Sequence, residues 1–180
     1  MHSENHYMKT TIIRIILPLL ILMGVGLNSH ASENTHDLQE IKYISQPQAN
    51  RYGAGQPEAT AFSTIAKAGI KHVINLRPPA ETPDFNEAAI VTEAGMAYYN
   101  IPISGSDDLT RANIMLVDKV LREIGDESAL LHCSSSNRVG AVMALKAVWL
   151  EGASVDEGIA IGQQWGLTKL QPVVERLLTE

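Results

Sequence analysis

One cysteine stands in 180 residues, so no internal disulfide can brace this chain. Aromatic residues are scarce, at 5%. No run of like charges and no Gly/Ser or Pro tract interrupts the sequence, which leaves no linker, acidic tail or basic arm to assign. Lys9 and Arg14 are the only basic residues before Ser32 and Glu4 the only acidic one. The remainder carries 12 basic against 19 acidic side chains, a formal charge of −7. So acidic a domain lacks the basic face that displaces counterions, which excludes nucleic acid as a partner. Beyond residue 31 there are three histidines and the one cysteine, with no spacing of metal ligands, so neither a metal nor another cofactor is expected.

What is present begins with a leader-like segment. Lys9 and Arg14 precede an apolar run from Ile15 to Leu27, and Ser29-His30-Ala31 offers small residues at the two positions a signal peptidase reads. The run is shorter than the about 20 residues of a membrane span and holds Pro18, Gly24 and Gly26. Residues 1–31 are therefore expected to be a signal peptide, and Met8, followed by Lys9, is a second candidate start. Residues 32–180 would form one periplasmic or secreted domain without membrane attachment after cleavage. With 45% hydrophobic and 19% charged residues the chain fits one ordinary core.

Periodicity predicts an α/β domain. A short strand is expected over 41–44, and Gly53, Gly55 and Pro57 read as a loop. Helices are expected over 58–68, closed by Gly69, and 85–94, closed by Gly95, each followed by an apolar strand, 70–76 and 97–101. His72 falls mid-strand and reads as a core residue. Between Thr110 and Ile124 the apolar residues 114, 117, 121 and 124 make one buried helical stripe. A short strand, 129–132, then leads through a loop, 133–137, into a helix over 139–150 that is apolar almost all round. Its small residues Gly140, Ala144 and Ala147 are expected to let it approach a sheet closely. Ser154 and Glu157 spell a capping box, and a last helix starts at Gln171-Pro172. Strands alternating with helices imply a parallel-rich sheet covered by helices on both sides.

The segment that carries chemistry is Leu131-His132-Cys133-Ser134-Ser135-Ser136-Asn137-Arg138-Val139-Gly140. An apolar strand, a polar loop opened by a cysteine and an arginine in the first helical turn make an anion site. Backbone N–H groups of Ser134, Ser135, Ser136 and Asn137 would point inward, the helix dipole adds positive potential, and the guanidinium grips two oxygens of a tetrahedral anion. Such a field favours the thiolate, the nucleophilic form of cysteine. The competing reading is a buried, inert Cys133, the common fate of free cysteine. Arg138 argues against it, because a cation at a helix N-terminus opposes the dipole and requires an anion nearby.

With Gly55-Gln56-Pro57, the run from Ala68 to Arg77, Tyr99-Asn100-Ile101-Pro102 and the His132-Cys133 loop, the chain resembles the beta-lactamase hydrolase-like proteins, a bacterial branch near the dual-specificity tyrosine phosphatases. The resemblance implies a Cys-based phosphatase fold and a phosphate-bearing or other small oxyanion substrate. It also implies Cys133 as nucleophile, Arg138 as clamp, His132 as a support beneath the loop, and an aspartate after the Tyr99 strand as general acid. Asp107 and Asp108 both lie there, and each is equally suited to capping the helix that starts near Thr110. Arg77 could approach the anion, although a pair with Glu81 is the plainer expectation.

The loop departs from the phosphatase pattern in three ways. Only four residues separate Cys133 from Arg138 where those enzymes have five, serine replaces the central glycine, and Val139 stands where a hydroxyl residue follows the arginine. Four residues is the rhodanese spacing, whose smaller ring suits sulfur transfer. The sequence thus leaves open a weak phosphatase, a sulfurtransferase and a catalytically inactive phosphate-binding module.

Overall fold

The computed structural model of the chain describes residues 37–81 and 85–180. The expected signal peptide lies outside the described residues. Among the described residues no helix is long and apolar enough to cross a membrane.

Five strands form one sheet in the order β1-β2-β5-β3-β4: β1 (Ser45–Gln48), β2 (Arg51–Ala54), β3 (His72–Asn75), β4 (Ala97–Asn100) and β5 (Ala129–His132). The hairpin β1-β2 is antiparallel and every other pairing is parallel. Six helices cover the sheet: α1 (Ala61–Lys67), α2 (Glu87–Glu93), α3 (Arg111–Ile124), α4 (Asn137–Glu151), α5 (Val155–Gln164) and α6 (Gln171–Thr179).

Side chains alternate across a pleated strand, and here the alternation sorts residues into two cores. Val73 and Leu130 join Phe62, Ile65 and Val91 under α1 and α2. Their neighbours Ile74 and Leu131 join Ile114, Val117 and Leu145 under α3 and α4. Each such fully buried aliphatic side chain contributes about 1.5–3 kcal/mol. A strand buried on both faces can be apolar at every position, which is why β3 and β5 read as continuous hydrophobic runs.

Three expectations need correction. The first strand lies at 45–48, and 41–44 instead forms the turn before it. That turn holds Tyr43 at a positive φ of 59°. The presumed loop at Gly53 is the buried strand β2, where a side chain would be crowded: a Cβ would lie 3.0 Å from Ser45 Oγ and 3.2 Å from Ser136 Oγ. His72 opens β3 half-buried, and its Nε2 lies 2.9 Å from a Glu127 carboxylate oxygen.

Helix α4 is buried continuously from Arg138 to Ala147. Its glycine faces a helix and loop and not the sheet, contrary to expectation: a Cβ on Gly140 would stand 2.2 Å from the backbone nitrogen of Leu167 and 2.6 Å from the carbonyl of Gly162 in α5. Backbone atoms cannot give way as a flexible side chain does. Gly140→Ala should therefore lower the unfolding free energy by about 3 kcal/mol, the upper end of overpacking costs. Gly69→Ala, with open space around its Cβ and only a φ of 87° against it, should cost about 1 kcal/mol. Equal urea midpoints for the two variants would contradict this packing.

Candidate functional site

The strand β5 ends at the C-terminal edge of the sheet, between β2 and β3, and hands the chain to α4 through Cys133, Ser134, Ser135 and Ser136. Both neighbouring strands hold the start of this loop. The Leu76 N–H donates to the His132 carbonyl at 2.9 Å, the Cys133 N–H to the Ala54 carbonyl at 3.3 Å, and the Gln56 N–H to the Ser134 carbonyl at 3.4 Å. Ser136 turns the chain with a left-handed φ of 62° as the residue before α4, a conformation that a loop lacking glycine must impose on another residue. Its hydroxyl is buried and donates to the Trp165 carbonyl at 2.8 Å. Gly166 makes room for it, since a Cβ there would lie 2.7 Å from the Ser136 Cβ.

These contacts separate backbone roles from side-chain roles. The Ser136 side chain faces Trp165, and the Asn137 side chain accepts hydrogen bonds from the backbone of Thr168 and Leu170, so neither aims a side chain at an anion. The backbone N–H groups of Ser134, Ser135, Asn137 and Arg138, by contrast, have no protein acceptor among the described residues. Four free donors at the mouth of a 15-residue helix are what an anion nest requires.

Cys133 is 1% exposed. Arg138, 9% exposed, sits within electrostatic reach of it. Burial works against the guanidinium's charge, but the Glu81 hydrogen bonds and the charges of Cys133 and Glu81 outweigh it, so its pKa stands above the usual arginine value. Arg138 Nη1 donates to Glu81 Oε1 at 3.0 Å and to the Ile103 carbonyl at 2.8 Å. Its Nη2 donates to Glu81 Oε2 at 2.7 Å and to Ser134 Oγ at 2.8 Å. Glu81 answers the demand for a nearby anion, a role that sequence reading gave it only towards Arg77. The signal was available, because an acidic residue just past a strand that neighbours the loop strand reaches the same sheet edge.

Beneath the loop, His132 Nε2 lies 2.9 Å from Glu87 Oε1, both side chains being buried. Glu87 Oε2 also accepts from Gln56 Nε2 at 2.6 Å, and the Gln56 side-chain oxygen accepts from Arg77. Burial pushes the Glu87 carboxyl up, but the hydrogen bonds and charge of His132, with help from Gln56 and Arg77, hold it below the usual carboxylate range. The support expected of His132 thus has a buried carboxylate partner that the sequence did not point to.

The two candidate acids part company. Asp108 accepts the Ser104 backbone N–H at 2.7 Å, and this contact holds its carboxyl below the usual range. Asp107 is exposed and among the described residues meets only the Ser106 hydroxyl, at 3.1 Å. Neither caps α3, whose cap is Thr110. The segment bearing both starts at Ile103, whose carbonyl holds Arg138.

No family model matches the chain. A beta-lactamase hydrolase-like protein of Xylella fastidiosa (strain Temecula1) is 32% identical over 117 residues, which is 63% of this chain and 27% of the relative. The chain therefore spans about a quarter of the length of the curated relatives it matches. A DUF442 structure from Shewanella putrefaciens CN-32, a provisional phosphatase, shares 24% identity with a TM-score of 0.63, covering 80% of this chain and 93% of that one. The tyrosine phosphatase Tk-PTP in its active form shares 16% identity with a TM-score of 0.58, covering 77% and 97%. These relatives match the resemblance drawn from the sequence, and the fold is that of the Cys-based phosphatases.

The His132–Glu87 pair carries a pH signature. A carboxyl held low in the folded state stabilises fully above the ordinary carboxylate pKa, and that contribution is lost as pH falls through the folded value. Glu87→Ala should cost about 3–5 kcal/mol at neutral pH, because it strands a buried imidazole. The stability gap between wild type and Glu87→Gln should narrow on acidification from about pH 6 to about pH 3. A gap in urea midpoints that stays constant over this range would contradict the assignment.

Proposed function

We propose that the chain is an exported, weak hydrolase of phosphate monoesters that works through a phosphocysteine. The observation that carries this reading is the set of unclaimed N–H groups on Ser134, Ser135, Asn137 and Arg138, in the loop that joins the buried Cys133 to a buried Arg138 at the end of a phosphatase-type sheet.

The chemistry runs in two steps. The Cys133 thiolate attacks phosphorus as the ester P–O bond breaks, with the backbone donors and Arg138 stabilising charge on the equatorial oxygens. The leaving oxygen takes its proton from Asp107. We favour Asp107 over Asp108 because the Asp108 carboxylate is already committed to the Ser104 N–H, which holds its pKa low, whereas the exposed Asp107 is left open to a leaving group. Water then cleaves the S–P bond, releasing phosphate and the thiolate. Weak turnover follows from the short loop, since each missing oxyanion donor costs about 10²–10³ in rate, and from Val139, which offers no hydroxyl to the departing thiolate.

Sulfur transfer is a second reading, favoured by one feature: the four-residue interval between Cys133 and Arg138. Here the Cys133 thiolate would attack the outer sulfur of thiosulfate, breaking its S–S bond to release sulfite and form a persulfide, and cyanide would then remove that sulfur as thiocyanate and free the thiolate.

Cys133→Ser should abolish hydrolysis of an aryl phosphate while leaving the fold intact, because a hydroxyl without a base is a poor nucleophile. Undiminished hydrolysis would remove Cys133 from the mechanism. Asp107→Asn should slow esters with poor leaving groups by about 10²–10⁴-fold and Asp108→Asn much less; the reverse order would exchange their roles. A thiosulfate-to-cyanide assay on the wild type separates the two enzymes. Brisk sulfur transfer without phosphate release would overturn the hydrolase reading.

A further inference from the structure

We propose that the resting protein fills its own anion site: the Glu81 carboxylate occupies the oxyanion position between Arg138, Ser134 and Arg77, and a doubly charged oxyanion must displace it to bind.

Donor arithmetic is the first support. A guanidinium has two N–H bonds on each terminal nitrogen. Those on Arg138 Nη1 go to Glu81 Oε1 and the Ile103 carbonyl, and those on Nη2 to Glu81 Oε2 and Ser134 Oγ. The fork is fully subscribed, and its two parallel bonds to one carboxylate are the geometry with which arginine grips a phosphate. Ser134 turns its hydroxyl to the same carboxylate, 3.3 Å from Glu81 Oε2. An incoming anion finds Arg138 and Ser134 already engaged.

The second support is closure. Cys133 is 1% exposed in this state, and Arg138, which bears on it, is held by Glu81. The Glu81 side chain is 33% exposed and sits on a single 3-10 turn, Pro79–Glu81, directly after β3. Water waits at its edge to solvate a released carboxylate, so displacement does not strand a buried charge.

The third support names the ligand's charge. Arg77 also bears on Glu81: its Nε lies 3.5 Å from Oε2 while finding no hydrogen-bond partner among the described residues, and its Nη2 donates to the Glu81 carbonyl. Once the carboxylate leaves, two guanidinium groups lose the one counter-charge they share. A dianion, such as a phosphate monoester or sulfate, neutralises both. A singly charged diester or nitrate neutralises one. Arg77 is thereby a binding residue that selects charge.

The inference rests on the anion-loop reading through Arg138, and its readouts need no turnover. The experiment uses the full chain as wild type and Glu81→Gln, with Glu81→Asp as a shorter carboxylate and circular dichroism to verify folding. Sulfate and nitrate binding are measured by calorimetry, and the rate of Cys133 alkylation by iodoacetamide is followed on the only thiol in the chain. If the carboxylate is engaged nine-tenths of the time, removing it raises sulfate affinity about tenfold and alkylation by a similar factor. Glu81→Asp should fall between, and nitrate affinity should change far less than sulfate affinity. Unchanged or weaker sulfate binding by Glu81→Gln overturns the proposal and makes Glu81 a fixed support for Arg138. Equal gains for sulfate and nitrate overturn the selection of dianions. Tighter sulfate binding without hydrolysis by either protein leaves the inference standing and removes the hydrolase reading. Hydrolysis without sulfate binding does the reverse.

Discussion

A guanidinium buried at the positive end of a helix is electrostatically out of place, and most of the site can be read as a response to that one cation. Arg138 is placed in the second residue of α4, where the helix dipole repels it and burial strips its water. It is tolerated because a carboxylate, a carbonyl and a hydroxyl converge on it. In the proposed function the same positive potential that makes Arg138 costly is what would make the loop useful, since a thiolate and a tetrahedral anion would both lower the energy of that corner.

The fold's part is to make the corner rigid. Parallel strands β2 and β3 flank β5 on both sides, so the loop leaves the sheet with backbone hydrogen bonds from each neighbour. Below it the His132–Glu87 pair, tied through Gln56 to Arg77, joins the floor of the loop to the elements after β2 and β3. Within this network Arg77 Nε and His132 Nδ1 are buried without a hydrogen-bond partner among the described residues. The left-handed Ser136 and its partners Trp165 and Gly166 anchor the far side. Strain kept at a loop by surrounding packing is typical of binding sites.

Much of this was legible in the residues. Continuous apolar runs marked β3 and β5, the glycines after α1 and α2 marked their ends, and Ser154 with Glu157 forms the expected capping box. Cys133 and Arg138 stood out because a lone thiol and a misplaced cation each lack an ordinary structural reason. What local pattern could not show was pairing at a distance. Gly53 looked like a turn residue, whereas it lies in β2, where Ser45 and Ser136 crowd the space a side chain would take. Nothing in the sequence singled out Glu87, because its partner His132 is 45 residues away. Glu81 was read as an i, i+4 partner of Arg77, since only the sheet order brings it to Arg138 as well.

The central claim is that Cys133 itself carries the phosphoryl group, and the most direct measurement is the mass of the protein quenched in acid during steady-state turnover of an aryl phosphate. The account requires a fraction of the chain to gain the mass of one phosphoryl group on the peptide bearing Cys133, lost on further incubation with water. Turnover with an unmodified cysteine would contradict it, as would a cysteine that gains only the mass of one sulfur when thiosulfate is supplied and never gains phosphorus.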